Sequence, residues 1–334
     1  TQMCIRDSIF TSSSTNAPSG HGTSGLSLTK RTSKRKVRSM PIVTPLDRGT
    51  ILTGLREKDP SRLQSLWQAA DETRRSHVGD EVHLRGLVEI SNYCRRQCAY
   101  CGIRAGNRGV VRYRMTQREI VDCARHAKSL GFGTVVLQAG EDMGLTGAWV
   151  SELLRAIKSE TALAITLSLG ERTSEELAAW KQAGADRYLL RFETSDPELF
   201  RKIHPSLSST AVSDRRAQLR VLRTRGYGVC SGVMVGIPGQ TWDSLAQDIL
   251  TFQSLDLDMI GVGPYIGHPE PPLGQGNWSP PRVDGEQVPN TELMTYKVVA
   301  LTRMVCPEAN IPSTTALATL NLSLIPISEP TKRY

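Results

Sequence analysis

The apolar positions of this 334-residue chain follow two alternating patterns between residues 85 and 317. Short continuous runs of β-branched and other apolar residues are typical of buried strands, and segments with apolar residues at helical spacing lie between them. The strand-like runs span 85–91, 134–140, 162–170, 187–193, 227–237, 258–266 and 310–317. The helical segments span 116–131, 145–160, 173–184, a region up to about Arg225, a stretch after Thr241, and Thr291 to Met304. The segments at 116–131 and 173–184 begin with capping signals, which in the first are a Thr N-cap at Thr116 and a Glu at Glu119. This alternation predicts an α/β protein whose parallel strands are covered by helices.

The number of strand–helix units favours a barrel over an open sheet. Seven units fit a (β/α)8 TIM-type barrel that stops before its last strand better than they fit a doubly wound sheet. No G-x-G-x-x-G motif follows the first strand-like run, so a Rossmann dinucleotide site is not supported. In a barrel of this type the reactive side chains lie on the loops that follow the carboxyl ends of the strands.

The two ends of the chain differ from the barrel segment, which we place at residues 46–320. Residues 1–45 are rich in Ser, Thr and basic residues, a composition typical of an organellar transit peptide, although a disordered basic tail or a nuclear signal has the same composition. We expect a plastid or a mitochondrion-related organelle if the tail is a transit peptide, and the cytoplasm otherwise. Residues 1–8 and 321–334 resemble translated sequencing-adapter read-through, so we expect both to be non-native.

Charge and hydropathy exclude two classes of partner. Seven cations and one acid in the first 46 residues account for six of the eight net positive charges, so the barrel segment is nearly neutral. A nearly neutral body argues against a nucleic-acid partner. A membrane partner is not expected either, because the sequence has no run of about 18 apolar residues.

Three of the seven cysteines lie in the loop that follows the first strand-like run. Cys94, Cys98 and Cys101 have the spacing C-x3-C-x2-C, one ligand short of a closed zinc site. The nearest histidines are His83, before the strand, and His126, inside a predicted helix. A 4Fe–4S cluster normally takes four thiolates, so three would leave one iron open to an exogenous ligand. A loop that binds zinc through three thiolates remains the alternative.

The cysteine spacing, its place after the first strand and the aromatic Tyr100 before the third cysteine resemble the radical SAM superfamily. The resemblance implies that Cys94, Cys98 and Cys101 hold a 4Fe–4S cluster and that S-adenosylmethionine (SAM) binds the open iron. It also implies that an electron from the cluster cleaves SAM to methionine and a 5′-deoxyadenosyl radical. Cys123, Cys230 and Cys306 are interpreted as small buried apolar residues.

Longer stretches resemble the HydE family of FeFe-hydrogenase maturases, with biotin synthase and methylornithine synthase as relatives. They are VVLQAGED (135–142), TLSLGER (166–172), GADRYLLRFET (184–194), MVGIPGQT (234–241), DMIGVGPYIGHP (258–269) and NIPSTTA (310–316). The resemblance implies a radical SAM enzyme in H-cluster maturation. It implies an iron–cysteine carbonyl/cyanide substrate made by the maturase HydG, and a product passed to HydF. A methylornithine synthase-like or biotin synthase-like enzyme and a non-enzymatic iron–sulfur or zinc protein remain alternatives.

The resemblance assigns roles to ten further residues. The residues expected near SAM are Tyr100, Thr166, Ser168, Glu193 and Arg215. The residues expected in the substrate cavity are Arg187, Arg191, Met259, Thr314 and Thr315. The even spacing of Arg187 and Arg191 predicts that both lie on one face of a strand, and pairing with a structural carboxylate such as Asp186 is the alternative. Met259 alone would be read as core, and His268 is not expected to be a ligand.

Overall fold

The computed structural model describes residues 46–206, 213–276, 278–280 and 286–320. The predicted tail at 1–45 and the predicted non-native segment at 321–334 lie outside these residues, as does the expectation of a transit peptide. Two helices precede the first strand: α1 spans Arg48–Arg56 and α2 spans Pro60–His77. Each begins at an aspartate, Asp47 or Asp59, whose side chain accepts a hydrogen bond from a backbone N–H of the first turn.

The described residues form one sheet of six parallel strands in the order of the chain, which confirms the parallel α/β prediction. The strands are β1 Arg85–Ser91, β2 Thr134–Ala139, β3 Ala164–Ser168, β4 Arg187–Leu189, β5 Gly228–Val235 and β6 Met259–Pro264. Five of them fall within the predicted runs with ends shifted by no more than about two residues. β4 is much shorter than the predicted run, because the chain leaves regular geometry before Arg191. The arrangement is an α/β half-barrel of the TIM type.

The predicted seventh strand at 310–317 is wrong. Asn310 makes a single parallel bridge with Met259, and the chain then enters helix α10 at Thr315–Leu320. Pro312 has no N–H to give to a strand ladder, and the following TALATL sequence contains good helix formers. The sheet in the described part of the chain therefore ends at β6.

Helices on the outside connect the strands, and their starts follow the predicted capping signals. Capping boxes form at Thr116 with Glu119 and at Thr173 with Glu176. The helices are α3 Gln117–Ser129, α4 Gly147–Thr161, α5 Ser174–Gln182, α6 Pro197–Ile203, α7 Arg215–Thr224, α8 Trp242–Ser254 and α9 Glu292–Val305. The region predicted as helical up to Arg225 is two helices, α6 and α7. None of the described helices is long and apolar enough to cross a bilayer.

The two faces of the sheet have different chemistry. Val135, Leu137, Ile165 and Leu167 point toward the helices and belong to the main hydrophobic core. Side chains alternate along a strand, so the intervening positions face the concave, inner side. Thr166 pairs in register with Arg187, which places both on this inner side. The core thus lies between sheet and helices, and the inner face is left partly polar.

The capping box at the start of α3 gives a test of the fold. We expect Thr116→Ala to lower the free energy of unfolding by about 1 kcal/mol, because the N–H of Glu119 loses its acceptor. The matched control is Thr116→Ser, which keeps a hydroxyl acceptor and should remain close to wild type. Urea denaturation of the three proteins measures the difference. Equal destabilisation by both substitutions would contradict the capping interpretation.

Candidate functional site

The loop that carries the three cysteines is fixed by backbone hydrogen bonds to three other parts of the chain. The N–H of Arg95 donates to the carbonyl of Glu141 after β2, at 3.1 Å. The N–H of Ala99 donates to the carbonyl of Ile203 at the end of α6, at 2.9 Å, and the carbonyl of Ala99 accepts from the N–H of Leu273 after β6, at 3.0 Å. The cysteine loop therefore sits over the carboxyl ends of the strands, as the barrel rule predicted.

A glycine allows the close approach between this loop and the end of β2. A Cβ built on Gly140 would overlap the carbonyl oxygen of Tyr93 and lie 2.7 Å from the Cβ of Cys94. The next residue completes the contact, because the N–H of Glu141 donates to the Sγ of Cys94 at 3.3 Å. Cys94 is thus positioned by the backbone of a neighbouring strand as well as by its own loop.

Two acids that the sequence analysis did not select neutralise the arginines of the cysteine loop. The buried carboxylate of Glu141 accepts from Arg95 at 2.6 Å and from Arg96 at 2.8 Å. Glu171, after β3, pairs with Arg96 at 3.0 Å and with Arg215 at 3.1 Å. Burial raises the pKa of Glu141, but Arg96, the N–H of Glu171 and Arg95 outweigh it, so the pKa is lowered. The cysteines were selected because they lie in the loop directly after a strand, and the same rule would have selected Glu141 and Glu171.

The three thiols lie close enough to influence one another. Burial raises the pKa of Cys98 to about 12, with Cys101 and Cys94 adding to the shift and Arg215 acting against it. Burial likewise raises the pKa of Cys101. Buried thiols of this kind become thiolates when a metal binds them directly. The three thiols therefore fit a bound metal group, and the positive charge of that group would stabilise them as thiolates.

A zinc ion and an iron–sulfur cluster make different demands on the three cysteines. In a mononuclear zinc site each thiolate lies about 2.3 Å from the zinc. In an iron–sulfur cluster each thiolate binds a different iron, which spaces the sulfurs further apart. Three thiolates on a 4Fe–4S cluster would leave its fourth iron open.

Tyr100, between Cys98 and Cys101, is held by a histidine that the sequence did not single out. The Tyr100 hydroxyl and Nε2 of His204 are 2.9 Å apart, and the two rings meet edge to face. Burial lowers the pKa of His204 well below its usual range, and Arg215 lowers it further. His204 is therefore neutral, and its Nε2 forms one hydrogen bond with the Tyr100 hydroxyl. This bond ties the cysteine loop to the end of α6.

Glu193, Arg191 and Arg215 come together at the same end of the sheet. Arg191 donates to both carboxylate oxygens of Glu193, at 2.8 and 3.1 Å. Arg215, at the start of α7, donates to the carbonyl oxygen of Arg191 at 2.7 Å. Glu193 is buried and has a φ of 63°, a conformation that costs a residue with a side chain on the order of 1–3 kcal/mol. A strained backbone at a buried acid beside the thiols indicates that the surrounding residues hold this carboxylate in one position.

Arg191 reaches across the inner face of the sheet to β6. Its Nη1 lies 3.0 Å from the place where a Cβ on Gly261 would sit, so the absence of a side chain there makes room for the guanidinium. Thr314, just before α10, contacts the same strand, where its hydroxyl donates to the carbonyl of Val262 at 3.1 Å. Thr166 is buried on the inner face of β3, and Ser168 is on the same face at its carboxyl end.

Arg187 and Met259 lie at the opposite end of the sheet, since each is the first residue of its strand. Arg187 and Arg191 both lie on the inner side of the sheet, as their spacing predicted, but β4 ends at Leu189 and the two guanidinium groups occupy different ends of that surface. The alternative of pairing with a structural carboxylate applies to Arg191, which pairs with Glu193, whereas Asp186 pairs with Lys158 at 2.6 Å. Nη1 of Arg187 is buried without a hydrogen-bond partner in the described structure.

The structure also places the other residues that the sequence analysis discussed. Thr315 begins α10 and is exposed among the described residues. His268 is exposed too, and its Nδ1 accepts from the N–H of Glu270 at 3.1 Å. Its ring lies against the cysteine loop, because Nε2 of His268 is 2.7 Å from the place where a Cβ on Gly102 would sit. Cys123 and Cys230 are buried, as expected, whereas Cys306 is only partly buried at the end of α9.

Comparison with known proteins identifies the family of this arrangement. Residues 88–251 match the radical SAM superfamily. The chain is 45% identical over 260 residues to the [FeFe] hydrogenase maturase subunit HydE of Thermotoga maritima, covering 77% of this chain and 70% of that protein. It is 28% identical to the 3-methylornithine synthase of Methanosarcina acetivorans, covering 75% of this chain and 68% of that protein.

Solved structures agree with the fold. The crystal structure of methylornithine synthase superposes with a TM-score of 0.70 at 26% identity, covering 80% of this chain and 75% of that chain. The structure of the FeFe-hydrogenase maturase HydG from Carboxydothermus hydrogenoformans also gives a TM-score of 0.70, at 22% identity, over 85% of this chain and 66% of that one. The second likeness concerns the fold alone. By sequence, fold and the three-cysteine loop, the chain belongs to the radical SAM superfamily and, within it, to the family of the hydrogenase maturase HydE.

Proposed function

We propose that this chain is a radical SAM enzyme that acts in the maturation of the FeFe-hydrogenase H-cluster, with Cys94, Cys98 and Cys101 as the ligands of its 4Fe–4S cluster. The observation that carries the proposal is that the three thiols lie together over the carboxyl ends of the strands, beside Arg215 and Glu193. Three ligands leave one iron for SAM. When bound, the cluster supplies the electron that divides SAM into methionine and a 5′-deoxyadenosyl radical.

The chain's own residues would bind and orient SAM. The buried guanidinium of Arg215 is suited to the carboxylate of the methionine part, since a guanidinium forms two parallel hydrogen bonds with such a group. Glu193 is suited to the ammonium or the ribose hydroxyls, because an ionised carboxylate only accepts hydrogen bonds. Tyr100, Thr166 and Ser168 complete the polar wall on the cysteine side and on β3. The strained conformation of Glu193 supports this role, because it fixes the carboxylate in one place.

The far end of the inner face supports an anionic substrate. Arg187 has a buried nitrogen without a partner, and Arg85, the first residue of β1, is largely buried beside it. Burial lowers the pKa of Arg85, and the neighbouring charge of Arg187 lowers it further. Two neighbouring, partly buried cations without a carboxylate partner among the described residues are costly unless an anion joins them. Arg187, Arg191, Met259, Thr314 and Thr315 would line the path of such a ligand.

The substrate we propose is a small anionic iron–cysteine carbonyl/cyanide complex, made by HydG and passed on to HydF after the radical has acted on it. The family and the unpaired cations support this proposal together. Methylornithine synthase is the second candidate, since a solved structure of it resembles this chain with a TM-score of 0.70. An enzyme that binds a zwitterionic amino acid needs an acid as well as a cation, so the arginine pair favours the first candidate.

The cluster ligands are tested by one substitution and one control. We expect Cys98→Ala to abolish the brown 4Fe–4S absorption after anaerobic reconstitution, because the cluster loses one of its three thiolates. Cys123→Ala, in the core of α3, removes a thiol that takes no part in the site and should keep the full absorption. Visible spectroscopy and iron analysis make the comparison. An unchanged spectrum in Cys98→Ala would refute the ligand assignment.

The close approach at Gly140 is tested in the same way. We expect Gly140→Ala to lose most of its bound iron, because the added methyl group would push Cys94 and the backbone of Tyr93 away from β2. Gly133→Ala is the matched control just before β2, since a Cβ there would meet nothing within 4 Å. Iron and sulfide are counted per chain after reconstitution. Equal iron content in the two variants would show that the approach is not required.

Arg187 separates SAM cleavage from substrate recognition. We expect Arg187→Gln to raise the substrate concentration needed for hydrogenase activation by about tenfold or more, since a charge-assisted hydrogen bond contributes about 1.5–3 kcal/mol. Formation of 5′-deoxyadenosine from SAM should persist, because Arg187 lies at the far end from the thiols. Arg155→Gln, exposed on α4, is the control. The measurement is a hydrogenase maturation assay with HydG and HydF, and unchanged activation would remove Arg187 from the cavity.

A further inference from the structure

A buried acid in α8 lies behind the proposed SAM site and is not explained by it. Asp248 is fully buried, and none of the ion pairs among the described residues includes it. Burial raises the pKa of Asp248 to about 7, although three hydrogen bonds lower it. Burying a carboxyl group without a cation costs free energy, and hydrogen bonds to the carboxyl oxygens must offset that cost. Each of its two carboxyl oxygens holds a different part of the chain.

The first oxygen of Asp248 holds the chain that follows β4. Its Oδ1 accepts from the backbone N–H of Ser195 at 2.5 Å and from the hydroxyl of Ser195 at 2.6 Å. Ser195 is two residues after Glu193, whose positive φ persists only if the residues around it fix the backbone. Asp196 then caps helix α6. This oxygen therefore holds the segment that carries the strained carboxylate.

The second oxygen of Asp248 holds the glycine-bearing loop after β5. Its Oδ2 accepts from Nε2 of Gln240 at 3.1 Å, and Gln240 is fully buried. The same amide donates to the carbonyl of Met234 at 3.1 Å and accepts from the N–H of Gly236 at 2.7 Å. One carboxylate thereby connects two loops at the carboxyl ends of adjacent strands.

The connection also reaches the cysteine loop. Helix α6 begins at the Asp196 cap, next to Ser195, and ends at Ile203, whose carbonyl accepts from the N–H of Ala99. His204 follows directly and is hydrogen-bonded to Tyr100. Ser195 lies two residues from Glu193 but is connected to the cysteine loop through the whole length of α6, so a shift of Ser195 would change the place of Glu193 more than that of the cysteines.

We propose that Asp248 is a positioning residue for SAM binding: its carboxylate fixes the end of β4 and the loop after β5 relative to each other, and so sets the place of Glu193. The inference rests on the proposed function, since it assumes that SAM binds at this end of the sheet. It means that α8, a helix on the outer side of the sheet, influences the affinity for SAM without contacting SAM.

Asp248→Asn is the sharpest variant because an amide cannot match three donors. In either orientation of the new side chain its NH2 group would face another donor. That donor is the N–H of Ser195 in one orientation and the amide nitrogen of Gln240 in the other. Reversing the Gln240 amide does not help, since its nitrogen would then face the N–H of Gly236. The control is Asp243→Asn on the same helix, where the acid is exposed and pairs with Arg48. Ser195→Ala removes one of the three bonds and is the milder variant.

Two measurements test the proposal on the full chain. In the metal-free protein, amide hydrogen exchange should become faster in Asp248→Asn at residues 193–196 and 234–240, and should not change in Asp243→Asn. In the reconstituted protein, iron content and kcat at saturating SAM should stay near wild type. The Kd and KM for SAM should rise about tenfold in Asp248→Asn and about threefold in Ser195→Ala.

The outcomes separate positioning from general stability. If Asp248→Asn does not fold, the predicted rise in Ser195→Ala decides alone. A normal SAM affinity in variants that retain their iron would overturn the positioning role, even if their melting temperature falls. An equal loss in Asp243→Asn would overturn it as well. A wild-type chain that holds its cluster but does not bind SAM would refute the proposed function, which is a different result from unchanged affinity in the variants.

Discussion

The contact between the cysteine loop and the end of β2 is the interaction on which the site depends. Gly140 lets the two backbones meet, Glu141 donates its N–H to Cys94, and its carboxylate binds Arg95 and Arg96. A loop with seven arginines and no acid between residues 91 and 118 would otherwise repel itself. The acids that neutralise it come from the ends of β2 and β3. The parallel sheet, by bringing all its carboxyl ends to one side, makes this pairing possible.

The inner face divides its cations into two kinds. Near the thiols, Arg191 and Arg215 are paired with Glu193 and Glu171, so their positions are fixed before any ligand arrives. At the opposite end Arg187 has an unpartnered nitrogen and lies beside Arg85. Paired cations orient a ligand. Partly buried cations without a carboxylate partner attract an anion, because the anion offsets a desolvation cost that is already present. One half-barrel thus combines a preorganised end with an end that favours negative charge.

The parts of the fold that the sequence predicted are those set by local physics. Strand runs and capping signals such as Thr116 with Glu119 depend on neighbours in the chain, and the structure has them where they were expected. The strand predicted at 310–317 does not form, because Pro312 interrupts the ladder. Pro312 is a local signal, and the prediction gave more weight to the number of strands that a barrel needs. Arg187 and Arg191 share the inner side as predicted, but they lie at different ends of it because β4 ends at Leu189. Glu141 and Glu171 directly follow strands and were overlooked, although the rule applied to the cysteines covers them. His204 and Asp248 give no local signal, since each acts through residues distant in the sequence.

The sequence by itself determined the class of chemistry, because three thiols spaced within eight residues of one loop define a ligand set without help from the rest of the chain. It also determined the parallel α/β order, which follows from periodicity. Only the tertiary structure decided which cations are neutralised, which end of the inner face each residue occupies, and which buried acid holds the loops together. These are properties of pairs brought together from separate strands and helices, and their energies depend on burial and distance that a linear pattern does not contain.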